Sequence, residues 1–170
     1  MAINIDCVDW QSTGDAYVSV IQRRLPAALK VNSVGQMVNL IEQRLGSNRR
    51  MRRLRIFGHG ISGVQGLGNS GSLFQTNLYN QITIGSNSEV LYADILGRLR
   101  TRFLSGGWAE LHGCNVGASA VGWNLLKGLA RLWQVNVAAG TSLQTTAAGF
   151  EVAYRVAQPN GQVRWRRGNN

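Results

Sequence analysis

Leu54-Arg55-Ile56-Phe57-Gly58-His59-Gly60 is a hydrophobic run that ends in a histidine between two glycines. A second run, Trp108-Ala109-Glu110-Leu111-His112-Gly113-Cys114, ends in a cysteine that follows a glycine. Short apolar runs of this kind predict buried strands, and the glycines predict the turns that end them. If both strands belong to one parallel sheet, the histidine and the cysteine lie at its carboxyl edge, where open α/β sheets place their ligands and chemistry.

The rest of the chain alternates predicted strands with predicted helices. Further strands are predicted at Ile3–Val8, Ala28–Val31 and Val135–Ala139. Apolar residues at helical spacing predict helices from Asp15 to about Arg24, from Ser33 to Leu45, from Glu89 (capped by Ser88) to Leu104, and from Ser119 to Trp133. This order favours an α/β fold, a three-layer sandwich in which a mostly parallel sheet carries helices on both faces.

Two further segments are predicted to contain β-hairpins. The glycine-rich segment at about 61–86 is expected to form a flap in which Val64–Gly68 pairs with Gln81–Gly85. A C-terminal hairpin at about 149–167 is expected to turn at Pro159-Asn160-Gly161. With 170 residues, the chain has the size of one domain, predicted over residues 1–170.

The chain is strongly basic, with 18 Lys and Arg residues against 8 Asp and Glu and a net charge of +10. Only Lys30 and Lys127 are lysines, so the positive charge comes almost entirely from arginine, which makes bidentate contacts to carboxylates and phosphates. The excess predicts an anionic ligand or an acidic partner protein. Nucleic acid is disfavoured as the partner because no nucleic-acid-binding motif accompanies the charge.

The cysteine count and the first residues bear on the compartment. Two cysteines, Cys7 and Cys114, are too few for a disulfide framework, and no Cys/His cluster has the spacing of a zinc site. Residues 1–6 lack the basic and apolar regions of a signal peptide, and no apolar run reaches the length of a membrane span. We therefore expect no membrane span and a location in the cytoplasm, or export without a cleavable signal peptide.

The turns at His59 and Cys114 combine the groups that acyl transfer requires. A thiol attacks a carbonyl as the thiolate, and a neighbouring histidine can take its proton and later protonate the leaving amine. Backbone N–H groups at a glycine-rich turn can stabilise the oxyanion. His59 and Cys114 lie 55 positions apart (114 − 59), which leaves room for a hairpin, a helix and a return strand.

A strand ending in His-Gly, followed by a strand ending in Gly-Cys, resembles the caspase-like cysteine peptidases, which include caspases, metacaspases, gingipains, legumain, separases and autoprocessing toxin domains. The chain is also similar to a bacterial caspase-like domain of unknown function found in large surface and secreted proteins. The residues that carry this resemblance, within roughly residues 3 to 145, are Phe57-Gly58-His59-Gly60, Gly113-Cys114-Asn115-Val116 and Val137-Ala138-Ala139-Gly140-Thr141. Two features depart from the pattern: the caspase sequence Gln-Ala-Cys-Arg-Gly is absent, and His112 stands where an apolar or aromatic residue is usual.

The resemblance implies a caspase-like thiol protease, an endopeptidase with Cys114 as nucleophile, His59 as base and the N–H groups of Gly60 and Cys114 as oxyanion donors. In such peptidases the ends of the first and last parallel strands line the pocket for the residue before the scissile bond. Those ends carry Asp9 and Thr141 here, and a carboxylate in that pocket would favour a basic substrate residue. The implied protein is a bacterial toxin or effector that acts on a protein or peptide substrate and needs no metal or organic cofactor.

Several alternatives stay open. His112 can be a structural histidine or can replace His59 as the base, and Asp9 can be a helix cap or a loop residue. The chain can also be a catalytically inactive caspase-like fold, an arginine-rich binding module for an anionic polymer or protein, or an amidase that acts on non-protein amides. Cys7 is predicted to be a small core residue.

Overall fold

A computed structural model of the chain describes residues 1–10, 16–67, 73–76, 82–84, 93–144, 149–150 and 152–168. The strands are β1 (Ala2–Asp9), β2 (Leu29–Val31), β3 (Arg50–Phe57), β4 (Gly60–Ile61), β5 (Val64–Gly66), β6 (Leu73–Thr76), β7 (Ile82–Ile84), β8 (Phe103–His112), β9 (Asn136–Gly140), β10 (Ala153–Ala157) and β11 (Val163–Arg167). The helices are α1 (Ala16–Arg24), α2 (Val34–Leu45), α3 (Ala93–Gly97) and α4 (Ser119–Trp133).

Seven strands form the main sheet, in the order β11-β10-β9-β8-β3-β1-β2. The five strands from β9 to β2 are parallel, and β10 and β11 add an antiparallel hairpin at one edge. Strands β3 and β8 are neighbours near the centre, and their register pairs Leu54 with Ala109 and Ile56 with Leu111. The prediction of a mostly parallel sheet with a C-terminal hairpin is confirmed.

Helices cover both faces of this sheet. Helices α2, α3 and α4 bury their apolar sides on one face, in the main core of the molecule. On the other face, Val18 and Ile21 of α1 pack on Val8 and Phe57 in a smaller core. The molecule is therefore a three-layer α/β sandwich, as the alternation of strands and helices predicts.

Helix α2 illustrates why the predicted helices form. Its first turn is capped by Ser33, whose Oγ accepts a hydrogen bond from the backbone N–H of Gln36 at 3.2 Å. Its last turn ends at Gly46, which has a φ of 57° that a residue with a side chain rarely adopts. Met37 and Ile41 are fully buried between these ends, and such burial stabilises the fold by about 1.5–3 kcal/mol per side chain.

A second sheet follows the turn at His59. It is antiparallel, with the strand order β4-β5-β6-β7, and it occupies the predicted flap segment. The predicted pairing of 64–68 with 81–85 is wrong, because β5 pairs with β4 and β6, and β7 pairs with β6. A tight turn at Gly63, with a φ of 76°, returns the chain from β4 into β5, and β6 then takes the other edge of β5, so no edge of β5 is left for β7.

The predicted helix at 89–104 is wrong beyond Gly97, where α3 ends. A short 3₁₀ turn follows at Arg100–Arg102, and β8 then begins at Phe103, five residues before the predicted strand. Phe103 pairs with Met51 of β3, so hydrogen bonding to the neighbouring strand overrides the helical spacing of the apolar residues. The predicted caps Asp15 and Ser88 lie outside the described residues, as do residues 89–92 of the predicted helix and residues 68, 81 and 85 of the predicted flap strands.

Candidate active site

The sheet aligns the ends of the two runs that carry His59 and Cys114. Phe57, the last residue of β3, pairs with His112, the last residue of β8. His59 and Cys114 therefore each lie two residues beyond the same pair of strand ends. The strands are parallel, so both turns leave from the carboxyl edge of the sheet, as the sequence predicts.

The two turns are in direct contact. A Cβ atom added to Gly60 would lie 2.9 Å from the Gly113 Cα and 3.0 Å from the Cys114 carbonyl oxygen. A Cβ atom added to Gly113 would lie 3.0 Å from the Gly60 Cα. Glycine at both positions thus lets one turn touch the other, and this contact brings the backbones next to His59 and Cys114 together.

The Cys114 thiol is half-buried and contacts the backbone of Gln144. The Gln144 N–H donates to Sγ at 3.4 Å, and the thiol can donate to the Gln144 carbonyl oxygen at 3.8 Å. An N–H donor stabilises a thiolate more than a neutral thiol. Sequence reasoning missed Gln144. The only sequence feature that points to it is its position three residues after Thr141, just beyond a predicted strand.

The turn that follows Cys114 is fixed by hydrogen bonds to the residues at the end of β9. Asn115 has a φ of 58° and Ser119 a φ of 56°, a left-handed conformation that is uncommon for residues with side chains. The N–H of Asn115 donates to the Ser142 carbonyl at 2.9 Å, and the N–H of Gly117 donates to the Gly140 carbonyl at 2.8 Å. These two bonds fix the turn on the end of β9.

The turn at His59 is held by the β4–β5 hairpin. The His59 side chain is exposed, whereas its carbonyl oxygen accepts the N–H of Gly66 at 2.8 Å. Gln65 is completely buried beneath the turn, and its Nε2 donates to the carbonyl oxygens of Gly66 at 3.2 Å and of His59 at 3.4 Å. Gln65 is thus a second residue, missed in the sequence, that fixes the backbone at the site.

Asp9 and Thr141 lie on opposite sides of the two turns, because β1 adjoins β3 and β9 adjoins β8. Asp9 is only 3% exposed, and its Cβ lies 3.4 Å from where a Cβ on Gly58 would be. The Thr141 hydroxyl donates to the Ala153 carbonyl at 2.9 Å. The strand ends predicted to line a substrate pocket therefore flank the His59 and Cys114 turns.

The side chain of His112, the last residue of β8, lies on a face of the sheet and not in the turn. Its ring is fully buried and stacks on Phe57 and on Phe150, with centroid distances of 4.5 and 4.6 Å. Its Nε2 donates to Glu110 Oε2 at 2.9 Å, while Arg53 binds Glu110 Oε1 at 2.6 Å. These contacts fit the structural role that the sequence left open for His112.

Burial lowers the pKa of His112 below its ordinary 6.5, against the opposing effect of the hydrogen bond to Glu110. Burial works to raise the pKa of Glu110, but the hydrogen bond from His112 and the ion pair with Arg53 outweigh it and lower that pKa. We therefore describe His112 as a neutral imidazole that donates its Nε2 proton to an ionised carboxylate. Cys7 lies in the core, as predicted, where burial raises the pKa of its thiol.

The model of a protein family, described as a domain of unknown function (DUF4347), matches residues 18–150. The chain belongs to this family. The matched residues include both turns but exclude Asp9 and the hairpin of β10 and β11. Comparisons with curated proteins and with solved structures find no match.

Two further properties concern the part of the chain that the structure describes. No helix there has the length and apolar character needed to cross a bilayer. Nor do three His, Cys, Asp or Glu side chains gather there as ligands of a metal ion would.

Proposed function

We propose that the chain is a caspase-like cysteine endopeptidase in which Cys114 is the nucleophile and His59 the base. One observation carries the proposal: the pairing of Phe57 with His112 and the contact of Gly60 with Gly113 bring the His59 turn against the Cys114 turn. A thiol and an imidazole at one open edge of a sheet are the groups that peptide hydrolysis through a thioester requires.

In the proposed reaction, His59 takes the thiol proton and the sulfur attacks the peptide carbonyl. The N–H groups of Gly60 and Cys114 stabilise the resulting oxyanion, and His59 returns the proton to the leaving amine as the C–N bond breaks. Water, deprotonated by His59, then cleaves the thioester and releases the carboxylic acid and the thiol. The N–H of Gln144, 3.4 Å from Sγ, supports the thiolate before the attack.

His59 fits the role of base better than His112. His59 is exposed on a turn that touches the Cys114 turn, whereas His112 is buried between two aromatic rings and hydrogen-bonded to Glu110. A base must reach both the thiol and the substrate, and a fully buried ring cannot reach a substrate. His112 thus supports the sheet beneath the site.

Asp9 is 3% exposed and too buried to contact a substrate directly, but its negative charge beside Gly58 supports a preference for a basic residue before the scissile bond. We further propose that the substrate is a protein or peptide and that the chain acts as a bacterial toxin or effector. Comparing basic and neutral peptides with the Asp9→Asn variant tests the preference.

The decisive experiment measures alkylation of Cys114 by iodoacetamide as a function of pH, together with peptide cleavage, in four proteins: the wild type, Cys114→Ser, His59→Ala and His112→Gln. We expect His59→Ala to slow labelling near neutral pH and to lower turnover by about 10²–10⁴-fold, the usual contribution of a general base. His112→Gln should stay within a few-fold of the wild type. Equal labelling of wild type and His59→Ala would overturn the proposal.

A specific observation favours a second candidate function, an arginine-rich binding module. Arginines gather at the amino-terminal edge of the sheet, opposite the two turns, because β3 and β8 both begin there. The exposed or half-buried members of this group are Arg49, Arg50, Arg52, Arg100 and Arg102. Salt-sensitive binding to an anionic polymer, together with a Cys114 that iodoacetamide does not label, would favour this function over the peptidase.

A further inference from the structure

Arg155 of β10 is a buried cation between two tryptophans. It is 8% exposed, and its guanidinium carbon lies 4.1 Å from the ring centroid of Trp123 in α4 and 4.3 Å from that of Trp165 in β11. Trp165 is also its cross-strand neighbour in the C-terminal hairpin. The guanidinium is therefore held by one ring from the helix and one from the edge strand.

The same guanidinium reaches the turn that follows Cys114. Its Nη1 donates to the carbonyl oxygens of Gly117 at 3.2 Å and of Ser119 at 3.4 Å. No carboxylate among the described residues forms an ion pair with Arg155. Within the described part of the chain, its polar contacts are therefore backbone carbonyls of that turn.

These contacts complete a set of supports around the turn after Cys114 and the first residue of α4, where Asn115 and Ser119 are left-handed. On the opposite side, the Gly63 N–H donates to the Val116 carbonyl at 3.0 Å, and the Ser62 hydroxyl donates to the Ala118 carbonyl at 2.6 Å. Uncommon backbone conformations persist only when surrounding contacts over-determine them, and such strain often marks a functional site. Arg155 supplies the support from the side of the C-terminal hairpin.

We propose that Arg155, held between Trp123 and Trp165, is a positioning residue for the Cys114 nucleophile, an inference that rests on the proposed function. The planar guanidinium lies over both tryptophan rings, and this placement aims Nη1 at the two carbonyls. The ammonium of a lysine has no planar face to stack on the rings and does not reproduce the arrangement. A displaced turn would move Sγ relative to His59 and to the Gln144 N–H. The reactivity of Cys114 thus depends on a hairpin that lies outside the residues matched by the family model.

The test compares Arg155→Lys, which keeps the charge and loses the planar group that lies over the two rings, with Arg164→Lys as a matched control. Arg164 is exposed on the neighbouring strand β11, and its side chain contacts Gln162. We expect Arg155→Lys to slow alkylation of Cys114 by iodoacetamide at pH 7 about tenfold and to change the shape of its pH profile. Trp165→Ala should act in the same direction, Trp165→Phe should restore the rate, and the control should match the wild type.

Thermal melting of each variant separates positioning from unfolding, because unfolding would expose the thiol at every pH and would not reshape the profile. An unchanged pH profile in Arg155→Lys would overturn the inference, as would a change that follows only the unfolded fraction. If His59→Ala slows labelling and Arg155→Lys does not, the inference fails and the proposed function stands. If neither slows it, the proposed function itself has failed.

Discussion

The two histidines of this chain lie on neighbouring strands, yet they occupy opposite environments. His59 follows the end of β3, exposed between two glycines on a turn that touches the Cys114 turn. His112 ends β8, where its ring is enclosed by Phe57 and Phe150 and bonded to Glu110. A displacement of two residues past a strand end thus separates a group available for chemistry from one that supports the sheet.

Gly60→Ala should have the largest effect. It should impair peptide cleavage at the His59 turn and leave the surroundings of His112 unchanged. The added Cβ would lie 2.5 Å from Val116 Cγ2, 2.9 Å from Gly113 Cα and 3.0 Å from the Cys114 carbonyl oxygen, so the two turns must separate. We expect peptide cleavage to fall by about 10²–10³-fold, since displacement of catalytic groups by an ångström has effects of this size. Cleavage rates measured on folded protein, checked by circular dichroism, test this.

Gly35→Ala, in helix α2, is the matched control because a Cβ there meets no atom within 4 Å. It should leave cleavage unchanged. Equal rates for Gly60→Ala and the wild type would mean that the contact between the turns has no role in the activity.

Glu110→Ala should have the next largest effect, and on stability alone. It removes the acceptor of the buried His112 N–H and the partner of Arg53. An unsatisfied buried donor costs about 1–3 kcal/mol, so we expect the free energy of unfolding in urea to fall by about 2–3 kcal/mol. Alkylation of Cys114 in the folded protein should keep its wild-type rate.

Glu42→Ala removes a carboxylate that pairs with Arg98 and Arg102 nearer the surface, and it should cost at most about 1 kcal/mol. A Glu110→Ala protein that is as stable as Glu42→Ala would show that the network around His112 does not support the sheet.

The smallest predicted effect is a pH dependence of stability that arises at His112. Because burial lowers the pKa of His112 below 6.5, the unfolded chain binds a proton just below this pH that the folded chain does not. The contribution of neutral His112 to the free energy of unfolding is therefore fully present above about pH 6.5. It is lost as the pH drops, with a slope of at most about 1.4 kcal/mol per pH unit for one proton. Urea unfolding at a series of pH values measures this slope.

The His112→Gln variant keeps a donor for Glu110 and cannot titrate, so its stability should be flatter between pH 5 and pH 7 (a window of about two units around the ordinary histidine pKa). A second decline at lower pH should remain in both proteins, because the lowered pKa of Glu110 makes its contribution disappear only as that carboxylate is protonated. Identical slopes in the two proteins would assign the titration to another group.

Elements could be predicted from the sequence where their residue pattern fits only one kind of secondary structure. Helix α4 begins and ends at the predicted residues, and β3 and β8 adjoin as the two apolar runs suggested. The region before β8 was misjudged because Leu99 and Phe103 satisfy helical spacing, whereas Phe103 in the structure pairs with Met51. A single sequence shows periodicity but not the neighbouring strand that competes with it.

The candidate site could likewise be predicted only in part. His59 and Cys114 were visible because reactive side chains next to glycines at predicted strand ends form a local pattern. Gln144 was not visible because it acts through its backbone. Arg155 was not visible because its role depends on three elements brought together by the fold, namely α4, β11 and the turn after Cys114.

The two edge strands of the main sheet affect whether copies of this chain can associate through their sheets. Strand β2, at one border, offers only three residues, and β11, at the other, carries the solvent-facing Arg164, Arg166 and Arg167. A second molecule that aligned with β11 would set three arginines against three of its own, and like charges at this spacing repel. The same positive charge from which the sequence predicts an anionic ligand thus also discourages growth of the sheet from one molecule into the next.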